Sequence, residues 1–192
     1  MQPSNCFPGA ALGLRKLWHN APMNTSSPRA DTTAFDSVHF RQALSQFATG
    51  VTVITTRLAD GTFRGLTASS FNSVSLDPPL VLWSLKSKAS SMPVFSGNSH
   101  YVINILAADQ AHLAKLFSTR IEDPFGQVEF ELSRTGHPVL KGCTAWFECH
   151  NRSRYPEGDH VIFVGEVEHC EVHPREPLVF HGGRLGGLHM PA

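Results

Sequence analysis

The chain has no excess of either charge: 16 Lys and Arg stand against 16 Asp and Glu in 192 residues. Proteins that hold nucleic acid by counterion release carry a basic excess, so that class is excluded. No apolar run reaches about 18 residues, which excludes a membrane-spanning helix. Charged residues are few, at 17%, and hydrophobic residues make up 41%. That balance excludes a wholly disordered chain and is enough for the core of one domain. The four cysteines, Cys6, Cys143, Cys149 and Cys170, are too few for a disulfide scaffold and form no C-x-x-C pair. They read as reduced thiols of a cytoplasmic protein, with Cys143 and Cys149 as small core residues. A secretory signal is lacking too, because Arg15 and Lys16 follow the weak apolar stretch instead of preceding it.

What is present divides the chain in two. Residues 1–34 are rich in Pro, Ser, Asn, Thr and Ala without a sustained period, and read as a flexible arm. Met23 lies within it as an alternative start. Residues 35–192 form the folded domain. Phe40, Leu44 and Phe47 recur at helical spacing and predict a helix packed on the core. Short β-type segments follow: 51–56 (VTVITT), 66–74, 80–85 (LVLWSL), 101–106 (YVINIL), 143–150, 160–172 and 177–180. Asp60-Gly61 marks a hairpin turn after the first, and Asp77-Pro78-Pro79 breaks the second. The segment 80–85, nearly all apolar, reads as buried on both faces. Ser90 and Ser91 before Met92-Pro93 mark a short helix start, and 109–117 a further helix. Residues 119–137 are polar and read as a long surface loop. The pattern predicts a mainly β fold, a closed barrel with a few short helices.

The chemistry concentrates in residues 65–79, GLTASSFNSVSLDPP. Thr67, Ser69, Ser70, Asn72, Ser73 and Ser75, with Ser84 beyond, offer neutral donors and acceptors suited to a planar polar ligand or a phosphate. A Ser-rich exposed edge strand is the other reading. Lys86 and Lys88 supply charge just before Ser90 and Ser91. His160 opens an apolar strand in 158–165, GDHVIFVG, where it suits a ligand contact or a hairpin corner. The glycine-rich 182–187, GGRLGG, follows the last strand and leaves no room for a βαβ unit, so a dinucleotide fingerprint fails its context. His169 and His173 lie on one face of a strand and Cys170 on the other, so they do not converge on a metal.

Five of these pieces occur in the order found in the flavin reductase family: 47–56 (FATGVTVITT), 65–80, 101–106, 158–165 and 178–184 (LVFHGGR). Over residues 40–188 the chain resembles that family, the reductase components of two-component flavin-dependent monooxygenases. The resemblance implies an FMN-binding split β-barrel, six-stranded, antiparallel and Greek-key, that forms a homodimer with flavin near the interface. It implies an NAD(P)H:flavin oxidoreductase that reduces FMN or FAD with NADH or NADPH for a partner monooxygenase. By the same resemblance Thr67, Ala68, Ser69 and Ser70 line the flavin's ribityl and phosphate side. Asn72, Ser73, Val74 and Ser75 meet the isoalloxazine edge, and Ser84, Leu85, Ser90 and Ser91 complete the site. His160 stands near the nicotinamide, with Arg184 beside the same pocket. Pro124 occupies the position where many members carry Lys before Phe125, so a positive contact to flavin or NAD(P)H is either lost or supplied by Arg120 or Arg134 instead. A tight FMN flavoprotein reducing a bound small molecule, a non-catalytic flavin- or haem-binding split-barrel protein, and a β-barrel interaction module are the competing readings.

Overall fold

The computed structural model describes residues 34–188, so the arm expected over 1–34 lies, but for Ala34, outside the described residues. Every element belongs to the unit that begins at Ser37. In chain order these are α1 (Ser37–Ser45), β1 (Thr49–Gly50), β2 (Thr52–Arg57), β3 (Phe63–Ala68), β4 (Asn72–Leu76), β5 (Pro79–Lys86) and α2 (Met92–Gly97). Then come β6 (His100–Ile105), α3 (Ala111–Ser118), β7 (Phe130–Leu132), β8 (Pro138–Leu140), β9 (Ala145–Glu157), β10 (His160–Val172), β11 (Leu178–His181) and β12 (Arg184–Gly187). The fold is mainly β with a few short helices. Among the described residues no helix is long and apolar enough to cross a membrane.

One sheet runs β3-β2-β6-β9-β10-β5-β4, antiparallel at every pairing. Its strands alternate inward and outward, and the inward side chains form one cluster: Ile54, Ala68, Trp83, Ile103, Cys149 and Phe163 come from six different strands. A single cluster fed by six strands requires the sheet to curl into a barrel. Ser70 makes the closure. Its hydroxyl accepts from the Ser84 backbone N–H (2.9 Å) and donates to the Ser84 carbonyl (3.3 Å), tying the end of β3 to β5 without a strand pairing. β4 continues the sheet beyond β5. Phe95 of α2 plugs the barrel, wholly buried, against Trp83.

The β2–β3 hairpin turns where Asp60-Gly61 predicts. The Asp60 carboxylate accepts from the Thr62 N–H and hydroxyl, and Gly61 takes φ +87°. In β5 only alternate residues, Val81, Trp83 and Leu85, are buried. The strand buries one face, not two: Leu80, Leu82 and Ser84 on the other face are only half-buried, as suits a strand between antiparallel neighbours. Among α1 residues none is buried, and Leu44 is 56% exposed. The helix forms as the spacing predicts but does not join the core, since α3 already covers the outer face of β2 with Leu113, Ala114 and Phe117. The segment 119–137 is not one open loop. It holds a 3₁₀ turn at Phe125–Gln127 and strand β7, pinned by Phe125 against Phe63, Phe117 and Phe130. Cys143 and Cys149 are buried as expected, and burial pushes the Cys143 thiol up to about 12.

A polar knot holds the β7–β8 turn. Glu148, 1% exposed, accepts from the Thr135 N–H (2.9 Å) and hydroxyl (2.5 Å), and Thr135 Oγ1 lies 2.8 Å from His137 Nδ1. Burial pushes the Glu148 carboxyl up, but hydrogen bonds from Ser133 and Thr135 outweigh it and hold the group below its usual range. Burial, then the neighbouring His100, holds the His137 imidazole below its ordinary value. Both groups therefore bind fewer protons folded than unfolded. The stability they contribute is complete above the unfolded values of 6.5 and 4.5 and is lost as pH falls through the lower folded ones. The melting temperature is expected to decline between about pH 7 and pH 5. Scanning fluorimetry on His137→Gln should show a flatter profile, and an unchanged slope would remove His137 from the account.

Candidate active site

β3 ends at Ala68 because Ser70 turns away to serve Ser84, and the gap between the two strand ends opens a cavity of about 360 Å³. Seven of the expected residues line it: Thr67, Ala68, Ser69, Ser70, Ser84, Leu85 and His160. The strand register supplies two more polar groups than β3 alone could. His160 of β10 sits directly opposite Lys86 of β5, so an imidazole and an ammonium reach the same mouth. Lys86, Leu66 and Ala89 complete the wall.

The hydroxyls are not equivalent. Thr67 donates to the Ala114 carbonyl (2.7 Å), fastening β3 to α3, and the Ser70 hydroxyl is occupied at both lone pair and proton by Ser84. Among the described residues, the Ser69 and Ser84 hydroxyls have no hydrogen-bond partner and remain for a ligand. His160 Nδ1 lies 2.7 Å from Asp159 Oδ1. That hydrogen bond holds the Asp159 carboxyl below the usual range, with the charge of His160 adding to it. With Nδ1 engaged, Nε2 is the ring nitrogen left to face a ligand.

The other expected residues lie elsewhere. Asn72, Ser73, Val74 and Ser75 form β4, on the sheet edge beyond β5, and do not line this cavity. The Asn72 amide oxygen accepts from Ser73 N–H, and the Ser75 hydroxyl accepts from Asp77 N–H, so both serve the strand's own backbone. Ser90 and Ser91 precede α2 and stop short of the cavity, and Ser91 makes no capping bond. Arg184 opens β12, exposed, after a tight turn in which Gly182 and Gly183 take φ +57° and +78°. Arg120 and Arg134 are exposed and line neither cavity described here.

A second cavity, about 660 Å³, lies between α3 and the β11–β12 hairpin. It shares Thr67 and Ser69 with the first. Ala111, Ala114, Lys115 and Ser118 face it, the spacing of one side of a helix. Sequence reasoning missed this wall because it followed the apolar face of α3. Lys115, the one polar position between Leu113 and Phe117, carried the signal.

Residues 44–189 match the family of the flavin reductase like domain. The FMN reductase (NADH) SmoA of Agrobacterium fabrum is 44% identical over 151 residues, 79% of this chain and 86% of that protein. The reductase subunit HsaB of a flavin-dependent monooxygenase from Rhodococcus jostii is 35% identical over 156 residues, 81% of this chain and 80% of that protein. Among solved structures, the NADH:FAD oxidoreductase SgcE6 of Streptomyces globisporus, in complex with NAD and FAD fragments, superposes with a TM-score of 0.75 at 38% identity. It covers 78% of this chain and 91% of that one.

Proposed function

The chain belongs to the flavin reductase like domain family, and on that premise we propose the division of labour among its residues. It is an NAD(P)H-dependent flavin reductase, an enzyme whose relatives include an NADH-dependent FMN reductase and the reductase subunit of a flavin-dependent monooxygenase. The observation that carries the reading of the site is the donor set of the smaller cavity: free Ser69 and Ser84 hydroxyls, peptide groups at the end of β3, and one cation, Lys86. A flavin mononucleotide presents a planar amide-like ring, a polyol and a phosphate, and that set matches all three. Thr67, Ala68, Ser69 and Ser70 would flank the ribityl chain, with Ser84, Leu85 and Lys86 toward the phosphate. Asn72, Ser73, Val74 and Ser75, with Ser90, Ser91 and Arg184, are assigned outer roles that a flavin extending past the cavity would reach.

When bound, a flavin supplies the hydride acceptor and a reduced nicotinamide the donor. The chain's part is positioning. No paired carboxylates are needed, and the cavity has none. His160, oriented by Asp159, would hold the nicotinamide end. Oriented N–H and hydroxyl dipoles at the β3 terminus would favour negative charge on the ring edge as it develops.

FMN and FAD both remain substrates in this reading, as do NADH and NADPH. Delivery of reduced flavin to a monooxygenase, a cytoplasmic location and a homodimer belong to the same proposal. The dimer draws support from Leu44 and Phe47 of the α1 region, 56% and 75% exposed beside a groove of about 390 Å³ that includes Ser69 and Phe180. Loss of NADH absorbance with FMN, with FAD and without flavin tests the reading on the full chain. Saturable oxidation that requires added flavin is expected, from a species of twice the 21.1 kDa chain mass by light scattering. Flavin binding without oxidation would favour a non-catalytic binding protein, and a monomer with full activity would remove the dimer.

A further inference from the structure

Ser69 is common to both cavities and to the groove beside α1. Its peptide N–H is open as well as its hydroxyl: among the described residues neither the Ser69 nor the Ser70 N–H has an acceptor. The carbonyls around them are, by contrast, taken up by hydroxyls. Thr52 donates to the Ala68 carbonyl (2.8 Å), Thr67 to that of Ala114 (2.7 Å) and Ser70 to that of Ser84 (3.3 Å). A rim with occupied carbonyls and open N–H groups suits an acceptor-rich ligand.

The Thr52 bond does more than occupy an oxygen. Thr52 is 1% exposed and lines neither cavity, so it is not itself a ligand contact. It lies directly opposite Ala68 in the β2–β3 register, on the face of β2 that Ile54 turns into the barrel. The Ala68 carbonyl and the Ser69 N–H belong to one trans peptide and point in opposite directions. Drawing the carbonyl toward β2 therefore turns the N–H away from β2, off the open edge of β3. The smaller cavity occupies that side, between the ends of β3 and β5. Ser70, clasped to Ser84, holds the next residue, so the peptide is fixed from both sides.

We propose that Thr52 is a positioning residue for the flavin: its buried hydroxyl holds the Ala68–Ser69 peptide with the N–H aimed at an acceptor of the bound flavin. The inference rests on the flavin reductase reading and adds to it a residue outside the cavity.

The test uses the full chain as wild type, Thr52→Val, Thr52→Ser and Thr55→Val. Valine keeps the branched shape and removes the hydroxyl, and serine keeps the hydroxyl. Thr55 is the matched control. It lies on the same strand, wholly buried, and donates to the Pro138 carbonyl (2.5 Å), but it lines neither cavity and stands opposite Gly65. FMN affinity is read by fluorescence quenching, KM for FMN and for NADH by absorbance, and the melting temperature by scanning fluorimetry. Thr52→Val is expected to weaken FMN about tenfold, the worth of one well-aimed hydrogen bond, with the NADH KM at its wild-type value. Thr52→Ser should bind FMN as the wild type does. Thr55→Val should melt lower and keep its FMN affinity. FMN binding unchanged in Thr52→Val, or weakened as far in Thr52→Ser or Thr55→Val, would overturn the proposal. The wild type decides the matter even where Thr52→Val does not fold. Its Ser69 amide proton is expected to move downfield when FMN is added, and an amide that stayed in place would overturn the proposal too. A wild-type chain that bound FMN but oxidised no NADH would overturn the reductase reading, and the FMN titrations would still decide the role of Thr52.

Discussion

Replacing His160 with alanine is expected to lower kcat/KM for NADH by about a hundredfold, with the flavin KM close to its wild-type value. The size follows from what the side chain does. Hydride transfer needs no proton at the moment of reaction, so His160 is not asked to act as acid or base. Its worth is positional, and a misplacement of about 1 Å in a reacting pair costs on the order of a hundredfold. The residue sits where β10 begins, opposite Lys86 on β5, with Nδ1 held 2.7 Å from Asp159 Oδ1. Its position in the register fixes where the ring stands, and Asp159 fixes how the ring is turned. Asp159→Asn should therefore lose part of the same rate, because an amide still bonds Nδ1 but no longer as a carboxylate. Stopped-flow reduction of bound flavin, read beside flavin affinity by fluorescence quenching, separates the two roles. If flavin affinity fell in step with the reduction rate, His160 would belong to the flavin's own binding set and not to the nicotinamide end.

Much of this site is legible before any coordinates. Local signals carry well: Asp60-Gly61 names its hairpin, the β-branched run 51–56 names β2, and GLTASS marks the strand end that opens the cavity. What fails is whatever depends on the third dimension. The stripe Phe40, Leu44 and Phe47 has the spacing of a core helix, but spacing does not say whether a core face is vacant, and α3 had already taken it. The stretch 155–159 (YPEGD) has the residues of a turn throughout, yet Pro156 lies inside β9 and only Gly158 and Asp159 separate the two strands. The proline is tolerated because β9 has passed the end of β6 by Asn151 and pairs there with β10 alone, so the missing N–H faces no ladder. Lys115 is invisible as a site residue since its neighbours in sequence are core leucines and a phenylalanine. Only the packing of α3 beside the β11–β12 hairpin brings it to Thr67 and Ser69. The hydroxyl-rich motif misleads in a subtler way. It suggests six equivalent donors, and the fold consumes several: Thr67 to anchor α3, Ser70 to close the barrel, Ser75 to end β4.

Gly165, the last residue of the GDHVIFVG motif, is where sequence and packing meet most tightly. It lies at an irregularity in the β9–β10 pairing, and a Cβ placed there would stand 2.5 Å from the Tyr101 hydroxyl oxygen and 3.0 Å from the Cys149 Cβ. Neither neighbour has room to yield. Tyr101 and Cys149 are wholly buried, and the Tyr101 ring is set edge-on to Trp83 at 5.6 Å, which itself stacks on Phe163 at 4.5 Å. Gly165→Ala is therefore expected to cost about 2–3 kcal/mol, at the upper end of overpacking, and to lower the melting temperature by roughly 5–10 °C for a domain of this size. The clash has one chief atom, which makes the argument separable from a general loss of backbone freedom. Tyr101→Phe removes that oxygen. Since the hydroxyl is buried without a hydrogen-bond partner among the described residues, its removal alone should leave stability equal or slightly improved. Combined with Gly165→Ala it should recover most of the loss, giving a favourable coupling of more than about 1 kcal/mol in a double-mutant cycle followed by urea unfolding. Additive effects would mean that the glycine is required by the bulged backbone itself and not by the tyrosine above it.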